Sequence, residues 1–256
     1  MKIGVQLFSI RKYLETAEEF ARAAKTLSDI GFRYVETAGF GGLDAKQFKN
    51  ILDDNGLKVC SSHIGIDKIL QNTRKMVDEQ LLLNTTCCNC SWPGTKSFDI
   101  NGILQTAEQI AKAAEILKEN GLVLGYHNHG IEFAKCGCKT WLELILENSK
   151  GLLTAQPDTY WIQYGGGDPA YWISRYSKRL NSIHFKDMAI SQDNQQIMVA
   201  VGTGNLNWEN ILLSANNSSA KYAIVEMDFS PLLSIWESLK ISFENMCKWG
   251  LHKDED

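Results

Sequence analysis

Four of the five histidines in this 256-residue chain, His63, His127, His129 and His184, follow short apolar runs. The fifth, His252, lies in a charged tail. Acidic side chains recur in the same setting at Glu36, Glu132, Asp158, Asp187, Glu226 and Asp228. Neutral imidazole and carboxylate are the groups that zinc, manganese, cobalt and iron take from proteins. They also take up and return protons near neutral pH. Gathered on one face, they would offer metal-assisted proton transfer. Each also has an ordinary reading. A histidine after a strand is more often a hydrogen-bonded structural group, and Glu36 could pair with a lysine. Asp187 and Asp228 could cap a loop or helix, and Asp158 before Thr159 suits a turn. The functional case rests on the set.

The elements that must position these residues alternate along the whole chain. Apolar runs predict strands at Lys2–Leu7, Tyr34–Thr37, Lys58–Ser62, Asn84–Cys90, Leu122–His127, Leu152–Gln156, Asn181–Phe185 and Tyr222–Glu226. Helical spacing predicts Thr16–Ile30, Asp44–Asn55, Lys68–Leu82, Ile100–Asn120, Thr140–Asn148, Pro169–Ser177, Trp208–Ser214 and Pro231–Trp249 between them. A strand followed by a helix, eight times over, predicts a parallel α/β fold that closes as a (β/α)8 TIM barrel. The length is near the about 250 residues of one such barrel. No linker or composition shift divides residues 1–256, so a single domain is expected. An open doubly wound sheet would carry a glycine-rich turn after its first strand, and QLFSIRK is not one. In a barrel the carboxyl ends of the strands form the catalytic face. Those ends carry Gln6, Glu36, His63, the run from Tyr126 to Glu132, Asp158, His184 with Lys186, and Glu226.

Composition narrows the function. The net charge of −4 and pI near 5.8 argue against a nucleic-acid partner, which calls for a basic face. No run approaches the roughly 20 apolar residues of a membrane span, and the opening segment lacks the pattern of a signal peptide. A cytoplasmic protein with reduced thiols is expected, its seven cysteines mostly small core residues. Cys87 and Cys90 have zinc-ribbon spacing, but a structural zinc usually needs a second such pair. A homo-oligomer is left open.

The segments GVQLFSIR (4–11), GFRYVETAGFGG (31–42), SSHIG (61–65), GYHNHGIEF (125–133), DTYW (158–161), IHFKDM (183–188), VGTGNLNW (201–208) and IVEMD (224–228) span nearly the whole chain. In this order they resemble the sugar phosphate isomerase/epimerase family, whose fold is the xylose isomerase-like TIM barrel. The resemblance implies a divalent metal (manganese, zinc, cobalt or iron) held by groups from strands five to eight. Carried over, these are Asp158, His184 and Glu226, with Glu132 as the first choice on strand five and His127 or His129 as its competitor. Glu226 would also serve as base, and Glu36 or His129 would move the second proton. Gln6, His63, Tyr126, His127, Trp161 and Lys186 are expected around the substrate, with Trp92 in its aromatic wall. Two departures stand out: Gln156-Pro157 before Asp158, where the proline could shift the aspartate, and Thr203 where an acid is common.

The expected reaction is isomerisation or epimerisation of a sugar or sugar phosphate. A metal polarises the carbonyl as a Lewis acid, and side chains remove and return the neighbouring proton. With a leaving group β to the carbonyl, the same enolate would eliminate it, so a lyase or dehydratase of a keto-sugar or inosose is the alternative. A barrel that binds sugar without turnover and a metal-dependent endonuclease are rivals from other classes, the second opposed by the acidic pI.

Overall fold

The structure is a computed structural model that describes residues 1–91 and 99–251. Trp92 and His252 lie outside the described residues. The barrel strands are β1 (Lys2–Gln6), β2 (Tyr34–Thr37), β3 (Lys58–His63), β4 (Cys87–Cys90), β5 (Val123–His127), β6 (Thr154–Gln156), β7 (Ser182–Phe185) and β8 (Tyr222–Val225). All pair in parallel, in the order β6-β5-β4-β3-β2-β1-β8-β7. The seam between β6 and β7 is closed by two single bridges, Ala155↔Leu180 and Asp158↔His184. Pro157 has no N–H to give, yet its carbonyl accepts from His184 N at 2.9 Å. The proline therefore serves the closure.

The helices follow from local signals. α1 (Ala17–Ile30) begins at Thr16, whose hydroxyl accepts from Glu19 N, and ends at Gly31. Gly31 has φ +122°, and a Cβ there would strike the Phe243 ring, so only glycine fits. α2 (Ala45–Asp54) carries a capping box between Asp44 and Gln47. The helix expected over residues 68–82 is two helices, α3 (Ile66–Gln71) and α4 (Thr73–Leu82). They part at Asn72, where φ −133° and ψ 40° leave the helical region. α5 (Ile100–Glu119) buries Ile103, Ile110 and Leu117 on one face. α6 (Trp141–Asn148) and the short α7 (Thr159–Tyr164) and α8 (Pro169–Arg175) follow, then α9 (Trp208–Asn216). The last helix, α10 (Ile235–Lys248), starts later than Pro231 because Ser234 and Glu237 form its capping box. Two small hairpins, Lys135–Cys136 with Lys139–Thr140 and Asp187–Ile190 with Gln196–Val199, decorate the carboxyl-end loops. Among the described residues no helix is long and apolar enough to cross a membrane.

The main core lies between strands and helices, where Val5, Val35, Leu124, Phe185 and Val225 meet residues such as Leu27, Ile110 and Phe243. The inside of the cylinder is different. A small plug of Tyr34, Cys60 and Ile224 occupies one level, and above it the lining is polar. The pairing of β2 with β3 slips at Val35/Glu36, so Cys60 is skipped and Ser61 stands opposite Glu36. Alternation then brings His63 to the same inner face. Cys60, Cys87, Cys88 and Cys90 are buried free thiols, as expected of core residues. Cys136 and Cys138 are not core: they sit on the first hairpin, half-buried and exposed. Among the described residues no cysteine belongs to a group able to hold a metal.

Candidate active site

The centre of the polar lining is the carboxylate of Glu36, which has no exposed surface. Gln6 Nε2 donates to Oε1 at 2.7 Å, and Asn89 Nδ2 and Gln156 Nε2 donate to Oε2 at 2.9 and 2.7 Å. The Ser61 hydroxyl also donates to Oε2. His184 Nε2 and His63 Nε2 approach Oε1 at 2.6 and 3.1 Å. Burial alone would raise the Glu36 pKa, but His63 and His184 hold it well below the usual carboxylate value. The Glu36 carboxylate is buried and saturated with partners, whereas the post expected for it, a proton shuttle, needs an accessible oxygen. Gln6 is likewise committed, since its other amide atom accepts from Phe8 N at 3.1 Å.

The opposite edge of His184 looks into a second group. Its Nδ1 lies 2.9 Å from Glu226 Oε2 and 3.9 Å from Asp158 Oδ2. Burial opposes charge on this imidazole, but carboxylates on both edges win and push its pKa up to about 10. His127 points inward from β5, with Nε2 4.0 Å from Asp158 Oδ2. His127, Asp158, His184 and Glu226 each offer a ligand atom within 4.8 Å of one another, and all four are buried. Asp158 is held in place by its other contacts. Its N–H donates to Asn128 Oδ1 at 3.1 Å, and its Oδ1 accepts from Trp161 N at 2.9 Å, capping α7. Among the described residues its Oδ2 accepts no hydrogen bond, the Lys186 ammonium lying 3.4 Å away, and His127 Nδ1 has no hydrogen-bond partner. Burial raises the Asp158 pKa to about 6 and, with the nearby cations, lowers that of His127 well below 6.5.

Two imidazoles and two carboxylates, one of them with a buried oxygen that accepts no hydrogen bond from the described residues, fit a divalent ion of the zinc, manganese, cobalt or iron kind. The strand-five member of this set is His127. Glu132, the first choice from sequence, stands apart: it accepts from Tyr126 OH at 3.0 Å and from His129 N at 2.9 Å. The reason is strand alternation. His127 faces into the barrel, Tyr126 faces outward and is 1% exposed, and Glu132 follows on a 3-10 turn that folds back onto Tyr126. Tyr126 is thus no part of a substrate wall. Burial pushes the Glu132 pKa up to about 7.

Lys186 is not free to meet substrate either. It is 1% exposed, and its ammonium sits among Asp158, Glu226 and Asp228. Burial would lower its pKa, but the three acids raise it instead. The same acids differ among themselves: burial raises the Asp228 pKa, whereas Lys186 and His184 overcome burial at Glu226 and lower it. The groups nearest the mouth are His63, His129 and Trp161. His63, with a side chain 19% exposed, has Nε2 2.8 Å from Gln156 Oε1. A cavity of about 320 Å³ lined by Phe8, Ala38, His63 and Ser91 opens beside it. The ring of His129 packs edge-on against Trp161 at 5.6 Å, and burial with Lys186 nearby pulls its pKa down to about 4.

Asp187 turns out to be scaffold. Its carboxylate accepts from Met188 N at 2.8 Å, Gly202 N at 2.9 Å, Gly204 N at 3.0 Å and Trp208 Nε1 at 2.7 Å. This explains the VGTGNLNW segment, in which Thr203 only ties back to Ala200 O. Ser61 and Asn89 bond to Glu36 and were passed over in the sequence reading, which named Asn128 and Gln156 without giving either a role. Period-two spacing from His63, on which Ser61 falls, and from Asp158, on which Gln156 falls, was the available signal.

A sequence profile of the xylose isomerase-like TIM barrel family matches residues 24–249. Among solved structures, a sugar phosphate isomerase/epimerase from Parabacteroides distasonis is similar at TM-score 0.80 and 24% identity, over 96% of this chain and 93% of that one. The probable 3-DHS dehydratase AsbF from Bacillus anthracis gives 0.76 at 16% identity, over 96% and 99%. The IOLI protein with a bound zinc atom gives 0.73 at 11%, over 97% of each chain. At these identities the likeness is one of fold. No curated protein matches the chain.

Proposed function

Since this chain belongs to the xylose isomerase-like TIM barrel family, we propose that it is a metal-dependent enzyme that moves protons next to the carbonyl of a small sugar. The observation that carries this reading is the convergence of His127, Asp158, His184 and Glu226 at the carboxyl ends of four barrel strands. A divalent metal held there supplies Lewis acidity to a substrate carbonyl. The chain's own groups do the rest. Glu226 stays ionised and is the carboxylate base. His129, neutral at pH 7 and near the mouth, is the second acceptor and donor of a proton. His63, whose pKa Glu36 raises against burial, offers a proton or hydrogen bond to a substrate oxygen. Trp161 forms an apolar wall for the sugar's carbon face.

Isomerisation returns the proton to the adjacent carbon, and epimerisation returns it to the other face of the same carbon. The fold likeness to a probable dehydratase supports a second reading. There, after proton removal, the β carbon–oxygen bond breaks and its hydroxide leaves as water with one proton.

The test is deuterium exchange in heavy water. Protein loaded in turn with manganese, zinc or cobalt is incubated with ketoses, inososes and 3-keto-glucosides and followed by NMR. Metal-dependent deuterium uptake beside a carbonyl is the expected result, and the product separates isomerase, epimerase and dehydratase. Bound metal with no uptake from any member would reject this substrate class, and neither metal nor uptake would favour a barrel that binds sugar without turning it over.

A further inference from the structure

Lys186 buries its ammonium among three acids. Nζ lies 3.0 Å from Glu226 Oε2 and 3.4 Å from Asp158 Oδ2, two carboxylates of the four-residue cluster. The Asp158 oxygen it pairs with accepts no hydrogen bond from the described residues, and the Glu226 oxygen it bonds faces His184 Nδ1. Its shortest contact, 2.7 Å, is to Asp228 Oδ2, outside that cluster and on a side chain 20% exposed. Trp161 closes its flank at 5.4 Å. A positive charge carried by the chain itself therefore sits against two carboxylates of the cluster, with a third acid beside it.

We propose that Lys186 is an internal rival of the metal: it competes for Asp158 and Glu226, with Asp228 as the anchor that keeps its ammonium nearby when they are taken. The chain would then hold its ion weakly and exchange it with the surrounding pool, so that metal supply regulates the site. This rests on the metal reading above. Like charges facing the same carboxylates repel, and the repulsion is least screened in a buried site. Lys186 is here a positioning residue that tunes affinity.

The test is calorimetric titration of the full chain, freed of metal by chelator, with zinc or manganese alone. Lys186→Gln is expected to bind the ion roughly tenfold tighter or more than wild type, about 1.4 kcal/mol. Lys186→Arg, which keeps the charge, stays within about threefold of wild type. A Lys186→Gln variant that folds and binds no tighter overturns the proposal. If that variant does not fold, a crystal structure of the zinc-loaded wild type decides. The expected result is an ammonium withdrawn from Asp158 and Glu226 and retained by Asp228. An ammonium still paired with both carboxylates beside the ion overturns the proposal. Wild type that binds none of the metals overturns the metal reading and this one with it, whereas tight metal binding unaffected by Lys186 removes only the part given to the lysine.

Discussion

Glu36 Oε1 lies 2.6 Å from His184 Nε2, which leaves the Nδ1 edge of the same ring facing Glu226 and Asp158. A carboxylate behind a ligating imidazole fixes its tautomer and its angle. Losing such a partner costs about 10–100-fold in metal affinity. Glu36→Gln is expected to weaken zinc binding by that order in calorimetric titration. Unchanged affinity in a folded variant would show that His184 needs no support from behind.

His127 and Glu132 make opposite forecasts for metal content. His127→Ala removes a member of the four-residue cluster and is expected to leave the dialysed protein with well under one ion per chain. Glu132→Gln keeps the cluster, so its content stays at the wild-type level, although the loss of a buried acceptor costs about 1–3 kcal/mol of stability. Elemental analysis after dialysis reads both. Depletion in Glu132→Gln alone would return the strand-five duty to the glutamate.

His184 also sets a pH dependence. Its pKa of about 10 in the folded chain lies above the ordinary 6.5. Between these values the folded chain holds a proton that the unfolded chain has released. The stabilisation is complete below the unfolded pKa and fades as pH rises toward the folded one. In chelator, the unfolding free energy is expected to fall by about 1.4 kcal/mol per pH unit between about pH 7 and about pH 9 from this group. Urea titrations of His184→Gln would show a flatter profile over that range, and an identical slope would contradict the assignment.

Asp187 offers a test of scaffold against site. Removing its carboxylate leaves four N–H donors without their acceptor at once, those of Met188 and Trp208 in buried bonds and those of Gly202 and Gly204 in partly buried ones. Asp187→Ala is expected to cost about 3 kcal/mol or more in urea unfolding. A loss of only a few tenths would mean that the 200–208 loop is held by other contacts.

The barrel was legible because strand and helix periods alternate without interruption, and helix ends carry strong signals at Thr16, Gly31 and Asp44. Asp158, His184 and Glu226 came from strand ends and from the family resemblance. What sequence could not supply was direction. Whether His127 or Glu132 turns inward depends on the phase of β5, which one residue of slip reverses. The commitment of Gln6, Glu36 and Lys186 to buried partners depends on neighbours up to 148 residues away, as for Glu36 with His184. The short hairpins and α7 have too few residues to show a period.

The bridge Asp158↔His184 is both a stitch in the cylinder's seam and a pair within the cluster. Shutting the cylinder and assembling the cluster are therefore one event. A nascent chain still lacking its seventh and eighth strands carries only His127 and Asp158 of the four, so completion of the cluster waits on the last third of synthesis. Fragments cut between residues 158 and 184 would have to reassociate before either half could recover it.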